Sequence, residues 1–253
     1  MRLLTFHLQG KAAHFRRYHS NSSALTYSIP PRTTIIGMIA GLLGFERDSY
    51  YELFSLDKCN ITVAIKSPIK KLVQKMNLLK IEGINDFNGS KGVHTQTPTE
   101  IIFPQNLRNG YIDYQVWFYH KDKSIMEDFR KLIAGGNDFY ITKGISLSLG
   151  GAQYLGWLRY EGEIEGEEKN YEASIPISSV IPIKYINDIE IGRDSYNKYF
   201  FVKEDIPLEF DKDRRLTETG KGNMLINLFS HPIKATVTKY MELSNNEYIT
   251  WME

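Results

Sequence analysis

The stretch Ile35-Ile36-Gly37-Met38-Ile39-Ala40-Gly41-Leu42-Leu43, entered through Pro30-Pro31-Arg32-Thr33-Thr34 and left at Gly44, constrains the fold more than any other. The two prolines enforce an extended approach, Thr33 or Thr34 offers a cap, and a helix running to about Gly44 follows. Apolar side chains lie on most sides of this helix, so the fold has to bury it. Gly37, Ala40, Gly41 and Gly44 recur at spacings of three and four, which lets a sheet approach closely. The apolar run is about half the length of a membrane span. A helix of this kind requires a sheet beside it.

Strand signals flank it. Leu4, Phe6 and Leu8 alternate with Thr5 and His7 in a first strand over Leu3 to Leu8. Residues 10–28 form a polar, basic connection to the helix, and Asp48 to Leu56 reads as a short helical turn. Cys59 to Ile65 is a second strand, with a hairpin partner expected within residues 69–82. Residues 83–110, rich in Gly, Asn, Thr and Pro, read as a protruding loop or ribbon. Tyr111 to Tyr119 is the strongest strand, with Ile112, Tyr114, Val116 and Phe118 on one face. Ser124 to Ala134 is an amphipathic helix stopping at Gly135-Gly136. Ile145 to Leu149 supplies a further strand opening into Gly150-Gly151. The order fits a ferredoxin-like, RRM-related α+β sandwich over residues 1–159. Residues 160–253 open on an acidic turn, Glu161 to Glu168, and are broken by Pro176, Pro182, Pro207 and Pro232. They read as a mostly β appendage packed on the first domain.

Net charge is only +1, but it is unevenly divided. Residues 1–80 hold twelve Lys/Arg against four Asp/Glu, a balance of +8. Residues 81–160 balance at zero, and residues 161–253 stand at −7. Such asymmetry points the N-terminal part toward a polyanion and the C-terminal part toward water or a basic partner. A single cysteine, Cys59, excludes an internal disulfide and a multi-cysteine zinc site. The segment Met1 to Gln9 is too short and too polar for a signal peptide, so a cytoplasmic location is expected. No metal or other cofactor is expected.

The basic connection carries the best chemistry. Lys11, Arg16, Arg17 and Arg32 are of the type that contacts phosphates, while His14 and Tyr27 suit stacking on bases or lining the wall. The helix start at Thr33-Thr34 offers unpaired amides and a positive dipole end to an anion. Gly150 and Gly151 permit close backbone approach, or merely a tight turn. Their segment lacks the lysine and spacing of a phosphate-binding Walker loop. None of the six histidines has a helix-spaced metal partner. His120-Lys121 offers an acid/base group beside a cation, suited to RNA cleavage through a 2′-hydroxyl, although a strand-end histidine is more often a surface residue.

Gly10-Lys11-Ala12-Ala13-His14-Phe15-Arg16, with Thr26-Tyr27-Ser28-Ile29-Pro30-Pro31-Arg32-Thr33-Thr34 and the helix to Gly44, resembles the Cas-five family of CRISPR-associated proteins in the RAMP superfamily. Type I members, subtype I-B among them, are the nearest in pattern. Gln96-Thr97-Pro98-Thr99-Glu100 and Leu149-Gly150-Gly151 add weaker support. The match covers roughly the first 160 residues.

The resemblance implies a ferredoxin-like domain with a protruding thumb, in a subunit of a Cascade-type surveillance complex for antiviral defence. Such a subunit caps the 5′ handle of the guide crRNA and touches a Cas-seven-type backbone subunit and a Cas-eight-type large subunit. Target DNA is a further candidate contact; no membrane is involved. On this chain the handle surface maps to Lys11, His14, Arg16, Arg17 and Arg32, with Gly150 and Gly151 nearby. The thumb maps to residues 83–110, with Gln96, Thr97 and Arg108 as RNA or partner contacts. Some members, in type I-C systems, instead process precursor crRNA as metal-independent endoribonucleases, and His120 and Lys121 are the residues available for that alternative. A plain protein-interaction subunit, docked through its acidic C-terminal part, is the third reading.

Overall fold

A computed structural model describes residues 1–253 apart from 21–22, 90–91, 136–139, 145 and 191–198. Strand β1 (Arg2–Gly10) is an interior strand of the main, nine-stranded sheet, third from one edge. After it come the short β2 (Phe15–Arg16) and β3 (Thr26–Tyr27), then helix α1 (Arg32–Leu43) and β4 (Cys59–Ile65). A two-stranded ribbon, β5 (Ile69–Leu79) and β6 (His94–Pro104), precedes β7 (Ile112–His120), α2 (Lys123–Ala134) and β8 (Gly156–Lys169). The four strands order as β8-β1-β7-β4, each antiparallel to its neighbour.

Period-two alternation decides what this sheet buries. Leu4, Phe6 and Leu8 of β1 meet Tyr114, Val116 and Phe118 of β7 on the face that both helices cover. There Phe129 of α2 sits edge-on to Phe6 and Phe118, each at 5.5 Å between ring centres. Burying one such phenyl ring stabilises by roughly 2 kcal/mol. Helix α1 ends as its glycine demands: Gly44 adopts φ +84°, its N–H returns to the Gly41 carbonyl, and that of Phe45 returns to Ala40. Its start differs from expectation. Pro31 occupies the N-cap position and no side chain caps the helix, so Thr33 and Thr34 lie inside the first turn.

The C-terminal third comprises β9 (Ala173–Ile177), β10 (Ile181–Pro182), β11 (Ile186–Ile189), β12 (Phe201–Pro207), β13 (Lys221–Asn227), β14 (Ile233–Val237), β15 (Tyr240–Leu243) and β16 (Tyr248–Ile249). Five of these strands continue the main sheet beyond β8, in the order β15-β16-β9-β14-β11. The expected division at 159/160 therefore falls inside one strand. Glu161 to Glu168 belongs to β8 and is not a turn. Ile145 lies outside the described residues, and residues 146–149 make only an isolated bridge, Ser148 to Leu155, so β8 takes the place expected for 145–149. Gly136 also lies outside the described residues. The partner of residues 69–79 is β6, not β4: the ribbon pairs from Ile69 opposite Pro104 to Leu79 opposite His94. The protrusion thus begins well before residue 83. Among the described residues there are two α-helices in a mixed α+β, strand-rich fold, and no helix is long and apolar enough to cross a membrane.

Candidate nucleic-acid interface

The connection after β1 is clamped from two sides. Ala13 exchanges two backbone hydrogen bonds with Ile102 at the ribbon base, at 3.1 and 2.9 Å. On the other side the His14 amide donates to Leu149 O at 3.0 Å. Gly150 then turns with φ +98°, and a Cβ there would stand 1.8 Å from His14 O. Only glycine allows this approach, so Gly150→Ala is expected to lower stability by more than about 1 kcal/mol, read as a fall in thermal midpoint. Gly151 follows in the same turn. His14 is half-buried, and its Nδ1–H donates to Glu100 O at 2.7 Å.

The four expected phosphate contacts separate into two kinds. Lys11 and Arg16 are exposed: Lys11 Nζ donates to Gly110 O at 3.0 Å, and Arg16 Nη2 to Ser20 O at 3.3 Å. Among the described residues, neither meets a carboxylate. Arg17 is instead held inward, its Nη2 on Glu204 Oε1 at 3.0 Å and its guanidinium 5.6 Å from the Tyr27 ring centre. Arg32 is fully buried. Its Nη1 donates to Leu208 O, and its Nη2 faces the carbonyls of Phe54, Ser55 and Cys59, at 2.7 to 3.1 Å. It is a carbonyl clasp and is unavailable to a phosphate. Burial holds its guanidinium below the usual arginine range.

Tyr27 is buried in the core, where desolvation raises its hydroxyl well above the ordinary phenol range, so it offers no ring to a base. Thr33 and Thr34 are half-buried, and Thr33 lines a small cavity with Tyr50, Tyr51, Phe54 and Leu208. The Thr34 amide is already bonded to Pro31 O at 2.9 Å. The helix start faces protein rather than an open anion site.

Sequence reasoning missed Glu204. This buried carboxylate of β12 accepts from Arg17, from Lys71 Nζ at 2.8 Å, and from the Ser28 amide and hydroxyl at 2.8 and 2.9 Å. The available signal was Val202-Glu204-Ile206: a strand alternation that puts a charge on its inward phase.

The ribbon residues are spread out. Gln96 is exposed and Thr97 half-buried, both toward the ribbon tip, whereas the exposed Arg108 lies past the ribbon base in the turn before β7. The structure does not bring Arg108 to Gln96. His120 sits at the far end of β7, where it is buried. Its Nε2–H donates to Leu53 O at 2.8 Å, and its Nδ1 accepts the Asp122 amide at 2.9 Å. Both ring nitrogens are thus engaged, while Lys121 beside it is exposed. Gly10, where the basic connection begins, pairs with Ile112 at the other end of β7. Eight residues of strand, about 27 Å, separate the two places. A single phosphodiester cannot meet both.

This strand-rich α+β fold is shared with CRISPR-associated proteins. A CRISPR protein from Archaeoglobus fulgidus has a similar structure with a TM-score of 0.59 at 13% identity, over 98% of each chain. A chain of a CRISPR RNA-guided surveillance complex gives 0.51 at 12% identity, over 92% of this chain and 91% of that one. At such identities the likeness concerns the fold. No curated protein matches the sequence. Residues 3–106 match the family model described as CRISPR-associated protein (Cas_Cas5). That N-terminal segment, less than half of the chain, is thus similar to the Cas-five family of CRISPR-associated proteins.

Proposed function

We propose that this chain is a non-catalytic subunit of a CRISPR effector complex that holds the 5′ handle of the guide crRNA. The observation that carries this reading is the pair of exposed cations, Lys11 and Arg16, on a connection clamped between the ribbon base and the Gly150 turn. Cations fixed on a rigid backbone bind a phosphodiester chain without losing much freedom in doing so. We read the β8-β1-β7-β4 sheet with its two helices as the ferredoxin-like RAMP domain, and the ribbon as its thumb. The ribbon's far end exposes Leu78, Leu79, Ile81, Ile84 and Phe87, with Ile84 87% exposed. Apolar exposure of that kind suits a protein partner, here a Cas-seven-type backbone subunit. The Cas-eight-type large subunit and target DNA are further partners on this reading. Guide-RNA surveillance by one structural neighbour and the family match both favour such a role. The hydrogen bonds that occupy both nitrogens of His120 favour a holding role over processing of precursor crRNA.

Direct binding tests the proposal. Purified protein should bind a repeat-derived 5′-handle RNA and leave it intact in EDTA. Lys11→Glu with Arg16→Glu should weaken binding at least tenfold and flatten the slope of log affinity against log salt by about 2. Undiminished binding by the double variant would remove the assigned surface, and metal-independent cleavage would favour the processing alternative.

A further inference from the structure

The helix-free face of the main sheet is only half covered. Met241, Leu243, Ile249 and Trp251 pack over Leu3, Ala64 and Trp117 at one end. At the other end, beside the basic connection, Trp157 and Tyr111 remain exposed among the described residues. Trp157 faces Gln9 across the β1/β8 pairing, and Tyr111 directly precedes β7. Their rings lie 6.0 Å apart between centres, inclined at 52°. Trp157 is 39% exposed and Tyr111 41% exposed.

The indole is fixed rather than loose. Its Nε1–H donates to Gln9 Oε1 at 2.7 Å, and Gln9 is itself buried. Beneath the same face, His7 Nδ1 and Asp113 Oδ1 meet at 2.6 Å, which closes that carboxylate off from a ligand. Three exposed cations lie close by along the chain or the strand face. Lys11 Nζ is held on Gly110 O next to Tyr111, Arg108 lies three residues before Tyr111, and Arg159 follows Trp157 on the same strand face. The acidic group nearest along this strand face, Glu161, accepts from Gln115 Nε2 at 2.6 Å.

We propose that Trp157 and Tyr111 form a platform on which an unpaired base of a single-stranded nucleic acid stacks, with Lys11, Arg108 and Arg159 facing its phosphates. Exposed aromatic faces ringed by cations suit this ligand: every base has a π-face, and the backbone brings the complementary charge. Lys11 belongs to both surfaces, which makes the platform continuous with the basic connection at that residue. The inference rests on the reading that this chain engages nucleic acid, and deepens it by adding a base-stacking contact.

Intrinsic fluorescence tests it directly, because Trp117 and Trp251 are buried and Trp157 is the exposed tryptophan. Protein titrated with 5′-handle RNA, and separately with uridine and thymidine 12-mers, should show quenched emission that saturates with binding. Equal quenching by both 12-mers would mark a platform open to RNA and DNA alike, and quenching by one would name its source. Trp157→Ala and Tyr111→Ala should each weaken binding about tenfold, as loss of one stacked base implies. Trp157→Phe keeps a ring, so it should retain affinity within about threefold while abolishing the signal. Thermal melts of each variant separate this effect from loss of fold. Binding without quenching, or full affinity in folded Trp157→Ala, would overturn the platform alone. No binding of any oligonucleotide by the wild-type protein would overturn the proposed function with it.

Discussion

Arg32→Met is expected to cost about 4 kcal/mol of folding free energy, enough to leave much of the chain unfolded at 37 °C. The guanidinium serves the carbonyls of Leu208, Phe54, Ser55 and Cys59 at once, in a site closed to water. Methionine fills much of the volume but removes the guanidinium donor from the carbonyls of Leu208, Phe54 and Cys59, while Ser55 O keeps the amides of Lys58 and Cys59; each orphaned buried group costs about 1–3 kcal/mol. Arg32→Lys should recover little, since one ammonium cannot reproduce a planar fork that reaches both Leu208 and Cys59. Urea unfolding of the three proteins measures the difference. A phosphate-binding Arg32 would behave in the opposite way, with stability unchanged or raised and RNA affinity lost.

The second large effect is expected at Glu204. Its carboxylate neutralises Arg17 and Lys71 and binds the amide and hydroxyl of Ser28, all from a buried position. Glu204→Ala should destabilise by about 3 kcal/mol, as removal of one member of a buried charged cluster does. Arg17 and Lys71 retain some exposure and recover part of their hydration; the Ser28 groups are fully buried and cannot. A double-mutant cycle of Glu204→Ala with Lys71→Ala should therefore show coupling smaller than the Glu204→Ala loss itself. A loss below about 1 kcal/mol would mean that the cluster behaves as a surface bridge.

The two expectations mark what the sequence made legible. Helix α1 was readable because its signals are local: two prolines before it, small residues within, Gly44 after. The excess of cations in the first eighty residues was readable too, and it drew attention to the connection. Which cations face outward was not, because the partners that draw Arg17 and Arg32 inward lie elsewhere in the chain: Glu204 on β12 for Arg17, and Leu208 with the carbonyls of Phe54, Ser55 and Cys59 for Arg32. Strand β8 was misread for a different reason. Glu161, Glu163, Glu165 and Glu167 alternate with Gly162, Ile164 and Gly166, which is strand periodicity, but the density of carboxylates resembles a solvated turn. The ribbon likewise follows its cross-strand partner rather than chain proximity: β5 bypasses β4 and pairs with β6. The platform at Trp157 and Tyr111 escaped notice because its two rings stand 46 positions apart and meet only through the pairing of β1 with both neighbours.

The clasp at Arg32 and the Ser28–Glu204 contact each span 176 positions of chain. Closing loops of that length is slow compared with forming local turns. During synthesis, the opening residues leave the ribosome long before β12 exists to receive them. The surface proposed to hold the guide must therefore mature late, only after β12 has been made, although its cations are among the earliest residues synthesised.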